Sequence, residues 1–171
     1  MRASAPEEKA RRPHAVGPRP ALWKDICVDD AVVRVDDAVV RYTRASEAND
    51  IDGLMETLAP DVELVSPLSG RMVFRGADDL RVLLAAVYGS MCGLRWRYEV
   101  GDGSVRVVIG DGKVGRLRLG DAMVLELAHD GRIRRIRPHL RPWLALTVFA
   151  IRLGPKVGRH PGVVLRALRR A

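Results

Sequence analysis

The 171 residues are 47% hydrophobic and carry 29 Lys/Arg against 21 Asp/Glu, a formal net charge of +8. That suffices for one domain with a core and tails. The charge is unevenly placed: residues 1–24 sum to +4, residues 25–131 to −7, and residues 132–171 to +11 with no acid at all. A nucleic-acid protein concentrates its cations on the folded reading surface, so an acidic centre between basic ends argues against nucleic-acid binding. No apolar run reaches the length of about 18 residues that a membrane span needs.

Residues 1–24 read as a disordered basic arm, rich in Pro and Arg. They lack the apolar stretch of a signal peptide. Cys27 and Cys92 show neither metal-ligand nor Cys-x-x-Cys spacing, which fits two reduced thiols in a cytoplasmic protein. A first helix is expected from Asp29 or Asp30 to Asn49, with Val32, Val35, Val39 and Tyr42 on one face. Asp50 caps a short second helix, Ile51 to Leu58, and Pro60 stops it. Val62–Ser66 reads as a strand with Val62, Leu64 and Ser66 on one side. A third helix runs from Ala77 to Tyr88, with Asp78 and Asp79 in its first turn and Leu80, Leu83, Leu84 and Val87 buried.

Four apolar runs follow: Leu94–Val100, Val105–Ile109, Val114–Leu127 and Ile133–Leu140. Gly101-Asp102-Gly103, Gly110-Asp111-Gly112 and Asp130-Gly131 separate them and read as hairpin turns, because tight turns need the positive φ that glycine accepts. The prediction is a four-strand antiparallel meander. Within its third strand Leu117, Leu119, Asp121, Met123, Leu125 and Leu127 share a face, so one carboxylate falls among apolar neighbours. Trp96 and Tyr98 occupy the apolar face of the first strand. Gly101-Asp102-Gly103 is no phosphate loop, since no helix follows it; no cofactor or metal site is expected. Trp143–Leu153 is apolar, Gly154-Pro155 should break it, and Pro161 opens a last amphipathic helix with Val163, Val164, Leu165 and Leu168 on its apolar face. Three divisions result: the arm at 1–24, a domain at 25–142, and an apolar then basic helical extension at 143–171.

Helices ahead of a meander argue an α+β fold, a curved antiparallel sheet packed against three N-terminal helices as a cone-shaped α+β barrel with an apolar cavity. Several strings resemble the nuclear transport factor 2-like superfamily, within it the SnoaL-like polyketide cyclase and ketosteroid isomerase group: Asn49-Asp50-Ile51-Asp52-Gly53-Leu54, Pro60-Asp61-Val62 through Pro67, Phe74-Arg75-Gly76 through Leu80, and Asp130-Gly131-Arg132-Ile133. The resemblance covers residues 30–145. It implies the cone fold; activity varies across the superfamily.

Ketosteroid isomerases use a carboxylate base together with a Tyr and a protonated Asp as oxyanion hole. By this resemblance Tyr42 matches the Tyr. Ser66 stands where the base would be, and a hydroxyl does not abstract protons at neutral pH unaided. The oxyanion-hole position falls on Met123, with Asp121 two residues away on the same face. The predicted catalytic pair is therefore Asp121 and Tyr42, and the predicted ligand-binding set is Ser66, Trp96, Tyr98, Leu119, Met123 and Leu84. His139 and Glu63 fall on the opposite strand faces. Three functions stay open: a binder of a small apolar ligand, favoured by the missing base; an isomerase, cyclase or epoxide-hydrolase-type enzyme using Asp121 with Tyr42; and, least favoured, an interaction module whose basic C-terminal segment docks on an acidic surface or an anionic membrane. A homodimer through Arg116, Arg118, Ala122 and Val124 on the outer sheet face is expected as well.

Overall fold

The computed structural model describes residues 37–169. Three helices and two strands come first: α1 (Ala38–Ala48), α2 (Ile51–Glu56), β1 (Leu58–Val65), β2 (Val73–Arg75) and α3 (Ala77–Tyr88). Strands β3 (Cys92–Val100), β4 (Val105–Val114), β5 (Leu117–Leu127), β6 (Ile133–Arg137) and β7 (Leu140–Arg141) follow, then α4 (Trp143–Gly158) and α5 (Pro161–Leu168). The seven strands form one sheet in the order β2-β1-β6-β5-β4-β3, with β7 paired to β5. The meander is antiparallel throughout; β1 joins it parallel to β6. This is the expected α+β cone: a curved, unclosed sheet with helices against its concave face.

The described helix α1 begins at Ala38. Asp37 is extended (φ −71, ψ 130) and its carboxylate accepts the Val39 N–H at 2.9 Å. The segment Asp-Asp-Ala-Val-Val-Arg occurs twice, at 29–34 and 36–41, and the described helix takes its cap from the second copy. The expected start, with Val32 and Val35, lies outside the described residues. The other oxygen of Asp37 meets Arg106 Nη2 at 2.8 Å, and Arg106 also pairs with Glu99. One half-buried carboxylate thus both caps α1 and fixes it to β4. Asn49 ends the helix in the left-handed region (φ 56), as expected for a C-terminal cap.

The middle turn of the meander is not at Gly110–Gly112. Those residues lie inside β4, and the chain reverses at Gly115-Arg116, with Gly115 at φ 62. Gly110 serves close approach instead: a Cβ there would stand 2.5 Å from the Arg95 carbonyl oxygen and 2.8 Å from the Trp96 ring. Beside it the β3–β4 register slips between Trp96 and Tyr98, and a bulge of this kind bends the strand and resets its alternation.

Gly154-Pro155 does not break α4. Pro155 removes one backbone hydrogen bond, while Ala145, Phe149, Leu153 and Val157, four residues apart, pack into the core on either side of it. On α5 the buried residues are Val163 and Ala167; Leu165 and Leu168, expected inside, are exposed.

Gly110→Ala should cost roughly 1–3 kcal/mol and lower the melting temperature by several degrees, because β3 backbone stands where the methyl would go. Gly70→Ala, with open space around the position, should leave it unchanged. Thermal melts followed by circular dichroism test the pair.

Candidate functional site

The concave face of the sheet, α1, α3 and the C-terminal helices enclose a cavity of about 350 Å³. Its wall is apolar almost throughout, built from Leu84 and Val87 of α3, Met123 of β5, and Phe149, Leu153 and Val157 of α4, with Met72 and Met91 from the loops. Four polar groups interrupt it: Tyr42, Ser66, Tyr88 and Asp121. Asp121 is the one acid or base among these lining residues besides the two phenols.

Asp121 sits between Gly110 of β4 and Leu140 of β7. Because Gly110 has no side chain, the Trp96 ring lies over that position and closes the cavity beside the carboxylate. Asp121 is 7% exposed. Oδ1 accepts the His139 backbone N–H at 3.0 Å. No arginine or lysine pairs with it among the described residues, and Oδ2 accepts no hydrogen bond there. Desolvation pushes its pKa up to about 6, against the opposing pull of the His139 hydrogen bond. At pH 7 about a tenth of the molecules therefore carry a proton on Asp121.

Tyr42 and Tyr88 are buried with their hydroxyls 2.8 Å apart. Burial raises both phenols, and the Asp121 charge adds to it, so both are neutral donors at physiological pH. The Trp96 Nε1–H donates to Ser46 Oγ at 2.8 Å, and the Ser46 hydroxyl donates to the Thr43 carbonyl. The resulting polar belt of Trp96, Ser46, Tyr88, Tyr42 and Asp121 crosses the apolar wall on one side.

The structure places Tyr42, Asp121, Ser66, Trp96, Met123 and Leu84 on the cavity wall. Asp121 and Met123 both face it, since residues two apart on a strand share a face. Tyr98 and Leu119 are not on it. The β3 bulge lies between Trp96 and Tyr98 and turns Tyr98 outward, 65% exposed. Leu119 is buried in the core away from the cavity. His139 turns its ring outward, Nδ1 being 3.1 Å from the Ala122 and Arg137 carbonyl oxygens. Glu63 also faces away, bound by Arg135 and Arg75, which hold its carboxyl below the usual range. Ser66 Oγ accepts the Leu68 N–H at 3.3 Å, the role of a turn former. Tyr88 is the residue that sequence reasoning passed over; its spacing of four from Leu84 on α3 was the available signal.

No family model and no curated protein sequence matches the chain. Solved structures do. An uncharacterized bacterial protein with a cystatin-like fold from Silicibacter pomeroyi superposes with a TM-score of 0.71 at 20% identity, over 76% of this chain and 93% of that one. A steroid delta-isomerase from Pseudomonas aeruginosa gives 0.66 at 20% identity, over 73% and 92%. A nuclear transport factor 2-like protein of unknown function from Burkholderia xenovorans gives 0.55 at 18% identity, over 64% and 88%. The chain has the nuclear transport factor 2-like fold. At these identities the likeness establishes the architecture; the chemistry has to be read from the residues lining this nuclear transport factor 2-like cone.

Asp121 gives the cone a pH signature. Its folded pKa of about 6 lies above the unfolded value of about 3.9, so its contribution to stability is fully present below pH ~4 and is lost as the pH rises through ~6. The loss is on the order of 3 kcal/mol. Asp121→Asn keeps an acceptor for the His139 N–H and removes the charge. The variant should melt several degrees above the parent at pH 7.5 and level with it near pH 4, measured by scanning calorimetry across that range.

Proposed function

We propose that the cavity binds a small, largely apolar molecule bearing one oxygen, which hydrogen-bonds to the Asp121–Tyr42–Tyr88 cluster. The observation that carries this reading is the wall itself: an apolar enclosure with one carboxylate whose second oxygen meets no donor among the described residues. A carbonyl or hydroxyl group there would take a hydrogen bond from protonated Asp121 or from a tyrosine hydroxyl. Binding without a second catalytic group fits the residue at position 66, where a hydroxyl stands and no carboxylate. A ligand retained through purification, identified by native mass spectrometry, is the direct test. Asp121→Asn should weaken its binding tenfold or more, with the fold retained; unchanged affinity refutes the reading.

The second reading is an isomerase, cyclase or epoxide-hydrolase-type enzyme with Asp121 as acid or base and Tyr42 as hydrogen-bond donor. The pKa of Asp121 near 6 favours it, since acid–base catalysts work best with pKa values close to the operating pH. Turnover of an enone or epoxide, with a rate that bends near pH 6 and vanishes in Asp121→Asn, would establish it.

We also propose a homodimer through the outer sheet face, where Ala122 and Val124 are half-buried and Arg118 is tied to Asp111 at 3.1 Å. Light scattering at micromolar concentration should return twice the 18.9 kDa of one chain.

A further inference from the structure

Helix α4 has two apolar faces. Ala145, Phe149, Leu153 and Val157 point into the core. Opposite them, at helical spacing, run Leu144, Thr147, Ile151, Gly154, Pro155 and Gly158, all exposed and without one charge. Trp143 is 76% exposed and Ile151 68%. Leu165 and Leu168 of α5 are exposed too. A helix that is apolar on both sides is covered on both sides in its working state.

Charge indicates what covers the outer side. Residues 132–171 hold eleven Lys/Arg and no Asp/Glu. Of those near the face, Arg141 and Arg159 flank the ends of α4, Arg152 lies along it and Arg169 follows α5; none of the four forms an ion pair among the described residues. A second copy packed face to face would bring like charges together. A surface with negative charge around an apolar interior answers both features, and an anionic lipid bilayer has that composition. No helix among the described residues is long and apolar enough to cross a membrane, so the contact is with the surface.

The cavity borders the same helix. Gly154 and Gly158 both line it and both are exposed, and nothing lies within 4 Å of where their side chains would be. The cap is itself tied to the cone: Arg166 binds Asp79 of α3 through both carboxylate oxygens, at 2.9 and 2.5 Å, and Lys156 Nζ donates to the Gly89 carbonyl at 2.7 Å. We propose that the outer face of α4 and α5 docks on an anionic membrane surface, with Gly154 and Gly158 at the edge of the cavity turned toward the lipid. The docking stands independently of what the cavity binds; transfer of a membrane-dissolved ligand into it rests on the binding reading above.

The test is co-sedimentation of the full chain with phosphatidylcholine vesicles, alone or mixed with phosphatidylglycerol, at low and high salt. Binding is expected only with phosphatidylglycerol, weaker at high salt. Arg159→Glu and Arg169→Glu should each weaken it fivefold or more, since a single basic residue near such a surface is worth about a fivefold gain. Ile151→Glu should weaken it tenfold or more with an unchanged melting temperature, its side chain being outside the core. Absence of sedimentation with phosphatidylglycerol overturns the proposal, as does binding that Ile151→Glu leaves intact. A dimer that Ile151→Glu dissociates would give the face to a second copy and overturn it as well. Docking that persists while Asp121→Asn has lost ligand binding would separate the two proposals.

Discussion

The meander can curve around a cavity because of a missing side chain. Gly110 lets the β3 backbone come within 2.5 Å of where a Cβ would be, and the adjacent bulge bends the sheet at that point. Much of the candidate site depends on this approach. The Trp96 ring rests over Gly110 and reaches Ser46 of α1 through its Nε1–H. Across the ladder from Gly110 stands Asp121, which therefore meets an aromatic wall where a neighbouring strand side chain would otherwise project.

That enclosure explains the chemistry of Asp121. Most acids described in this chain are matched to arginines: Glu63 to two, Glu126 to three, Asp111 to two, and Asp79 to Arg166. Asp121 receives one backbone N–H. Burial without a counter-charge is costly for a carboxylate, and the rise in its pKa is the form that cost takes. Natural folds concentrate such locally unfavourable choices at functional positions.

The sequence made the regular elements legible and left the irregular ones hidden. The third helix ends where expected, at Tyr88, because its acidic first turn and apolar stripe are local signals. The alternation of β5, and so the inward direction of Asp121, was equally local. Gly110-Asp111-Gly112 misled because glycine serves two purposes, turning the chain and admitting a neighbour, and the neighbour is 14 residues away in sequence at Trp96. Tyr98 misled because strict alternation assumes a strand without a bulge. The bond between Tyr42 and Tyr88 joins residues 46 apart, which no helical period reports. Gly154-Pro155 carries a helix-stop signal, yet packing on both sides of Pro155 outweighs one lost hydrogen bond.

The empty space beside Gly154 and Gly158 bears on how such a chain could diversify. Both positions have helical neighbours and negative φ, so they tolerate any side chain on backbone grounds. A Cβ at either would meet no protein atom within 4 Å, at positions that border the cavity. If the cavity binds the small molecule proposed above, two codons on its cap, far in sequence from the polar cluster, would be places where its rim could change. The rim of the cavity and its polar cluster thus lie on separate elements, and substitutions at one leave the other and the core intact.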